Sequence, residues 1–180
     1  MKENLKTTKY NDGSLIPNLT NNIDWFRDTT GAYCWYSNNY NSYGITYGAL
    51  YNFYAVNTDK LCPMGWHLPS NAEWTLLTNY LGGSSTAGIK LKETGYSHWI
   101  KVKNEATNEA TNESGFTALP GGMRTYRGSF LSLGTDGYWW SIDENRNNQW
   151  WVMGNDGDFV YNLFSSVNDN FGLCIRCVKD

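Results

Sequence analysis

Cysteine is the residue type best suited to chemistry in this chain of 180 residues, which contains Cys34, Cys62, Cys174 and Cys177. A Cys-x-x-Cys pair such as Cys174 and Cys177 occurs in redox motifs and in zinc sites. Here the pair lies in a strand-like run, without the helix N-terminus that lowers a reactive thiol pKa. The histidines, His67 and His98, are not at zinc-finger spacings. We therefore expect structural cysteines, either buried thiols or disulfides in one of three two-bridge pairings.

A second chemical pattern is the polar segment from Asn155 to Asp158, which offers three oxygen-bearing side chains and a glycine. Calcium accepts such ligands, but the EF-hand pattern would need a glutamate where this chain has Ser166. An Asn-Asp-Gly run between two strand-like segments is typical of a hairpin turn. We therefore predict no cofactor, with calcium at this turn as the alternative.

Composition and charge limit the classes of partner. The net charge is −3 and the pI about 5.3, without the basic surface that binding to phosphate backbones requires. No apolar run reaches the roughly 18 to 20 residues of a membrane span, and the N-terminus lacks the apolar core of a signal peptide. We predict one domain over residues 1–180 that binds no nucleic acid and does not insert into a membrane. Aromatic residues make up 16% of the chain, and some are expected at the surface.

One helix has clear local signals. Ser70 and Glu73 have the spacing of a capping box, so a helix should begin at about Asn71. Trp74, Leu77 and Leu81 recur at helical spacing before two glycines that end the helix. The spacing predicts a helix over about 71–81 that packs these three side chains on a sheet. A short extended segment should precede it, ending at a proline.

Most other patterns favour short strands. A hairpin is expected to turn at Gly128, and a strand-like run follows the Asp136–Gly137 turn. Further strand character is predicted for residues 96–102, 116–119, 150–154, 158–164 and 173–178. Strands segregated from one or two helices indicate an α+β fold rather than a parallel α/β sheet.

Several motifs together resemble one family. CPMGWHLPSNAEW, TNESGFTALPGGMR, GYWWS and the closing IRCVKD are similar to the major paralogous domain of Fibrobacter succinogenes. HLPSNAEW also resembles a segment of the formylglycine-generating, sulfatase-modifying fold. These resemblances imply a C-type-lectin-like α+β domain with one main helix and several short antiparallel strands, here lacking a first strand that family members usually carry. They also imply that Cys34, Cys62 and Cys177 are the disulfide candidates, with Cys177 bonded to Cys62 or Cys34.

The resemblance also suggests a site. Residues 143–170 depart from the family pattern between two matching motifs, as in lectin-like proteins that diversity-generating retroelements rewrite. Strand alternation, with Trp150 assigned to the core, turns Trp151 and Met153 outward. The expected ligand-binding residues are Asp143, Arg146, Asn148, Gln149, Trp151, Met153, Asn155, Asp156, Asp158, Tyr161, Asn168 and Asn170.

Three functions follow as hypotheses. The first is a ligand-binding module for adhesion or recognition, secreted or displayed on a bacterial cell or a phage virion. Six acids against Arg146 alone between residues 135 and 170 disfavour anionic ligands, which leaves a protein or a neutral glycan. The second is an oxidase-like enzyme, which the resemblance to the formylglycine-generating fold suggests. The paired cysteines of those enzymes, however, are further apart in sequence than Cys174 and Cys177, so no catalytic residue of theirs can be assigned to this chain. The third is a structural module of a larger surface protein.

Overall fold

The computed structural model describes residues 1–101, 110–155, 159–163 and 168–180, and it has an α+β architecture. The described α-helices are α1 (Asn22–Arg27), α2 (Ile45–Tyr47), α3 (Phe53–Val56), α4 (Asn71–Tyr80) and α5 (Ala87–Leu91), and a 3-10 turn (Tyr36–Asn38) and a π-helical turn (Tyr40–Gly44) precede α2. The described strands are β1 (Tyr33–Cys34), β2 (Leu50–Tyr51), β3 (Trp66–His67), β4 (Gly121–Arg124), β5 (Phe130–Leu133), β6 (Asp136–Ile142), β7 (Asn148–Gly154), β8 (Val160–Leu163) and β9 (Val178–Lys179).

The main sheet has five strands in the order β5-β4-β6-β7-β8. Its pairings are antiparallel except for that of β4 with β6, which is parallel. The predicted hairpin at Gly128 is confirmed as the β4–β5 connection. Two smaller antiparallel pairs, β1 with β2 and β3 with β9, lie outside this sheet.

Helix α4 begins where the capping box predicts. The Glu73 backbone N–H donates to Ser70 Oγ at 3.2 Å, and the Ser70 backbone N–H donates to a Glu73 carboxylate oxygen at 2.8 Å. Two of the four orphan N–H groups at the helix start are thereby satisfied. Trp74 and Leu81 are buried as expected, whereas Leu77 is only partly buried. The extended segment before the helix is also confirmed, as β3.

Three predicted strands differ in the structure. The described residues of segment 96–102 form no strand, and segment 116–119 makes only an isolated bridge from Ala118 to Lys92. Segment 173–178 makes a strand only at its end, in β9. At the start of this segment, the backbone N–H groups pair with two different neighbours. The Leu173 N–H donates to Tyr51 O, and the Cys174 N–H donates to Tyr138 O. The β propensity of this segment therefore produces an extended backbone, but the segment does not form one continuous ladder with a single partner strand.

Strands β6 and β7 are buried on both faces. Trp140 and Trp150 belong to one apolar core, whereas Trp139 and Trp151 belong to a second core that includes Trp74 of α4. The antiparallel register places Trp139 opposite Trp151 and Trp140 opposite Trp150. The main sheet therefore lies between two cores, and α4 covers one of its faces.

A disulfide joins Cys62 to Cys177, one of the two pairings that the resemblance implies, across 115 positions of sequence. It links the segment before β3 to the segment before β9, so it lies beside their ladder. Cys34 and Cys174 are buried free thiols. None of the described helices is long and apolar enough to cross a membrane.

Candidate functional site

The predicted outward face of β7 is buried. Trp151 is 5% exposed and Met153 is fully buried, so the prediction that both side chains point to solvent is wrong. The Trp151 indole stacks on the Trp74 indole and donates a 3.1 Å hydrogen bond to Asn71 Oδ1. The register prediction assumed that burial of Trp150 leaves the opposite face free, but α4 covers that face.

Two predicted polar ligand contacts are also buried and engaged within the fold. Gln149 accepts a hydrogen bond from Asn162 Nδ2 at 3.3 Å. Asn170 donates to the carbonyl oxygens of Trp25 and Asp28 at 2.9 and 2.7 Å. These amides satisfy buried backbone and side-chain groups, which is a structural role.

Three further predicted residues make contacts within the loops. Asp143 accepts hydrogen bonds from the side chain and backbone of Asn147, which lower the pKa of the Asp143 carboxyl. Arg146 forms an exposed ion pair with Asp59 at 2.8 Å. Asn148 donates to an Asp169 carboxylate oxygen. The first of these closes the β6–β7 turn, and the other two join that region to neighbouring loops.

Of the remaining predicted residues, Asn155, Tyr161 and Asn168 lie in the described part of the chain. Tyr161 and Asn168 are exposed, and Asn155 donates to the Ile100 carbonyl oxygen at 3.0 Å. Asp156 and Asp158, with the calcium alternative at their turn, lie outside the described residues. No group of three or more metal-ligating side chains occurs within the described part of the chain.

The structure contains a different concave surface beside α4. This cleft, called here the α4 groove, has a volume of about 770 Å³, within the range of ligand-binding pockets. Its lining residues are Met1, Trp66, Pro69, Glu73, Trp74, Leu76, Leu77, Tyr80, Phe116, Arg176, Cys177, Val178 and Lys179.

Helix α4 forms one wall of the groove with a second apolar stripe. Leu76 and Tyr80 are one helical turn apart and are 71% and 85% exposed. Leu77 lies between this stripe and the buried Trp74. The opposite wall comes from the β3–β9 pair, which contributes Trp66, Val178 and Lys179. The disulfide fixes this pair because Cys177 immediately precedes β9.

Arg176 is a buried cation in the lining of the groove. It is 3% exposed, and it donates to Asn4 Oδ1 and to the Phe116 carbonyl oxygen. Its guanidinium also lies 4.0 Å from the centre of the Phe116 ring. Burial lowers the pKa of Arg176 to about 10, and none of its described hydrogen-bond acceptors is a carboxylate.

The acid of the groove, Glu73, is already engaged. It accepts hydrogen bonds from Ser70 and from His67 Nε2, the latter at 2.8 Å. Burial opposes its ionisation, but these bonds lower the pKa of Glu73 below its ordinary value. His67 Nδ1 contacts Asp180 at 2.6 Å, and the hydrogen bonds to Asp180 and Glu73 raise the pKa of His67.

Sequence reasoning missed the α4 groove although its helix was predicted. Helical spacing assigns Trp74, Leu77 and Leu81 to the core and predicts no role for Leu76. The available signal is the width of the apolar surface, because Leu76 and Tyr80 form a stripe beside the predicted core residues of the same helix. A helix with apolar residues over so wide an arc buries one face and presents the other for contact.

The free thiols have the environment of core residues. Cys34 and Cys174 are both buried, and desolvation raises the pKa of each to about 12. Reaction at sulfur requires the thiolate. At neutral pH both groups are therefore protonated and shielded from solvent.

Comparison with known proteins identifies the family of the chain. No curated protein and no solved structure matches the sequence. The sequence profile of the Fibrobacter succinogenes major domain matches residues 1–179. The match covers α4, the disulfide and all the described strands, and the chain therefore belongs to the Fibrobacter succinogenes major domain family.

Proposed function

We propose that this domain is a recognition module that binds a protein ligand in the α4 groove. The observation that carries the proposal is the pair of exposed apolar side chains, Leu76 and Tyr80, on the wall of a cleft of about 770 Å³. A contiguous apolar surface of this kind on a soluble protein typically marks an interaction site. Binding would remove both side chains from water.

The character of the walls favours a protein over a neutral glycan. Leucine, valine, methionine and proline side chains supply much of the lining, and tryptophan, tyrosine and phenylalanine add aromatic surface. Aromatic residues and methionine are enriched at protein interfaces. A sugar would need several free hydrogen-bonding groups, whereas Glu73 is already bonded to Ser70 and His67.

The oxidase alternative gains no support from the sulfur chemistry. Cys62 and Cys177 are bonded to each other, and the two free thiols are buried with raised pKa values. A purely structural module is the other alternative. It predicts that the exposed stripe on α4 has no specific ligand.

The proposal also covers the fold of the domain and its location in the cell. The sequence motifs support a C-type-lectin-like domain, and the β3–β9 ladder, which pairs residues 66–67 with the C-terminal strand, is compatible with it. The Cys62–Cys177 disulfide supports an oxidising location such as the bacterial surface. If retroelement diversification occurs in residues 143–170, it should change exposed Tyr161 and Asn168 between close relatives and spare buried Trp151.

Peptide and neutral-oligosaccharide arrays probed with the purified domain test this function. We expect selected peptides to bind, and Leu76→Ser and Tyr80→Ser each to weaken binding by about 2 kcal/mol, as for interface hot spots. Leu15→Ser is a matched control because Leu15 is 72% exposed but does not line the groove. Equal losses at Leu15 and Leu76 would contradict the site. If only glycans bind, the ligand is a glycan and not a protein. If nothing on either array binds, the structural module is favoured.

A further inference from the structure

We infer that the α4 groove binds an extended peptide by strand addition to the free edge of β9, and that the peptide carries a carboxylate between apolar side chains. This inference rests on the proposed function and specifies its ligand. The direction of the backbone groups of β9, the neighbouring N-terminal segment and the charge beside the groove support it.

The backbone of Lys179 points away from β3. In the β3–β9 pair, Lys179 lies opposite Trp66, and the next residue, Asp180, donates its backbone N–H to Gly65 O at 3.1 Å. Antiparallel ladders alternate between hydrogen-bonded and non-hydrogen-bonded pairs. The Lys179 and Trp66 pair is thus of the second kind, and the Lys179 N–H and C=O are directed to the opposite edge. Such an edge is a template for an added strand.

The same side of the C-terminal segment already accepts backbone donors further back along the chain. Leu5 N–H donates to Ile175 O, and the Met1 amino group donates to Cys177 O, both at 2.8 Å. The next residue with the same orientation after Cys177 is Lys179, because the direction alternates along a strand. Both Met1 and Lys179 line the groove. A strand paired with the Lys179 edge would therefore lie in the groove.

The side chains around this edge define the chemistry of the peptide. Leu76, Tyr80 and Val178 supply apolar contacts for alternate side chains of an extended chain. Lys179 is exposed, and within the described residues neither Lys179 nor Arg176 makes a salt bridge. Glu73 and Asp180 both bond to His67. Lys179 is therefore an exposed cation at this edge that no described salt bridge engages, and its ammonium is complementary to a carboxylate.

Two synthetic probes test the charge. One is a capped peptide that alternates valine with glutamate, and the other replaces each glutamate with lysine. We expect the glutamate probe to bind the wild-type domain at least about tenfold more tightly, since charge complementarity selects partners. Lys179→Glu should reverse or abolish this preference. Equal affinities of the two probes for the wild-type domain, or no binding of either at millimolar concentration, would overturn the inference.

Backbone measurements test strand addition itself. With the glutamate probe bound, hydrogen exchange of the Lys179 amide should slow by about tenfold or more. The Asp180 amide is the internal control because it is already bonded to Gly65. N-methylation of alternate probe amides should weaken binding about tenfold in one register and little in the other. Unchanged Lys179 exchange, or tolerance of both methylation registers, would exclude strand addition.

These outcomes are distinguishable from failure of the proposed function. If array-selected peptides lose affinity with Tyr80→Ser but leave the Lys179 amide unprotected, the groove binds protein in another mode and only strand addition fails. If the selected peptides bind equally to the wild-type domain, Leu76→Ser and Tyr80→Ser, the proposed function fails as well.

Discussion

The indole of Trp151 lies almost parallel to the indole of Trp74, with ring centroids 5.6 Å apart and ring planes inclined by 15°. This contact joins the centre of the main sheet to the first turns of α4. The Trp151 N–H extends the connection by donating to Asn71 Oδ1. The orientation of α4, and with it one wall of the α4 groove, therefore depends on a side chain that belongs to β7.

Trp151→Ala should destabilise the domain by about 3 to 5 kcal/mol, because it removes a buried indole and leaves a cavity against Trp74. The free energy of unfolding from urea titration measures this loss. Trp150→Ala is the comparison on the opposite face, and we expect a loss of similar size because Trp150 is also buried. A loss below about 1 kcal/mol for Trp151→Ala would mean that α4 does not cover this face.

The two apolar stripes of α4 should differ in their effect on stability. Leu81→Ala, at the buried end of the helix, should cost about 2 to 5 kcal/mol by creating a cavity. Leu76→Ala removes an exposed side chain and should change the unfolding free energy by less than about 0.5 kcal/mol. Denaturant unfolding of both variants provides the test, and similar losses would show that Leu76 is packed in solution.

The capping box should contribute measurably to stability. Ser70→Ala removes the hydroxyl that accepts from the Glu73 N–H and should cost about 1 kcal/mol. Thr75→Ala is a control on the exposed side of the same helix and should not destabilise the domain, since alanine has the higher helix propensity. Calorimetric melting of the two variants separates these effects. A lower melting temperature for Thr75→Ala than for Ser70→Ala would argue against the cap.

The ionic contacts of His67 should make stability depend on pH. Hydrogen bonds to Asp180 and Glu73 raise the pKa of His67 above 6.5. A raised folded-state pKa stabilises the protein fully below the unfolded value, and this contribution is lost as the pH rises through the folded value. The difference in unfolding free energy between the wild-type domain and His67→Gln should therefore be larger at pH 5.5 than at pH 9.

At acidic pH, protonation of Glu73 limits the contribution that the His67 contacts make to stability. Its pKa is lowered below 4.5, so its contribution is present above that value and is lost as the pH falls through the lowered pKa. An NMR titration of the His67 ring should give a midpoint above 6.5, and Asp180→Asn should reduce it. A midpoint at or below 6.5 in the wild-type domain would contradict the contacts seen here.

The cysteines should divide into one bridge and two unreactive thiols. A thiol reagent should label neither Cys34 nor Cys174 in the native domain and should label both after unfolding, because both side chains are buried. Cys62→Ser should cost about 2 to 5 kcal/mol of stability through loss of the cross-link. Rapid labelling of two native thiols would reopen the oxidase hypothesis.

Local signals explain what could be predicted from the sequence. The start of α4 depends on two residues three positions apart, Ser70 and Glu73, so the helix was placed correctly. The Gly128 hairpin was predicted from turn chemistry of the same short range. The family resemblance, by contrast, was needed to reduce the disulfide pairings to two, because spacing alone cannot select among them.

Long-range packing explains what could not be predicted. Alternation along β7 separates Trp150 from Trp151, but it does not reveal that both faces of the strand are covered. The α4 groove depends on β9 lying beside α4, a pairing of positions about one hundred residues apart. No local pattern carries that information, so the predicted site was placed on β7 instead.

The Cys62–Cys177 bond also determines how the domain would respond to tension. A force applied between residues 1 and 180 passes through residues 1–62, crosses the sulfur–sulfur bond and leaves through residues 177–180. The chain between the two cysteines, 115 positions long, carries none of the load, which excludes about 400 Å of contour length from extension. Helix α4 and the main sheet lie within this shielded loop. Tension would therefore extend at most the N-terminal third of the chain, whereas the segment that carries α4 could not lengthen while the disulfide is intact.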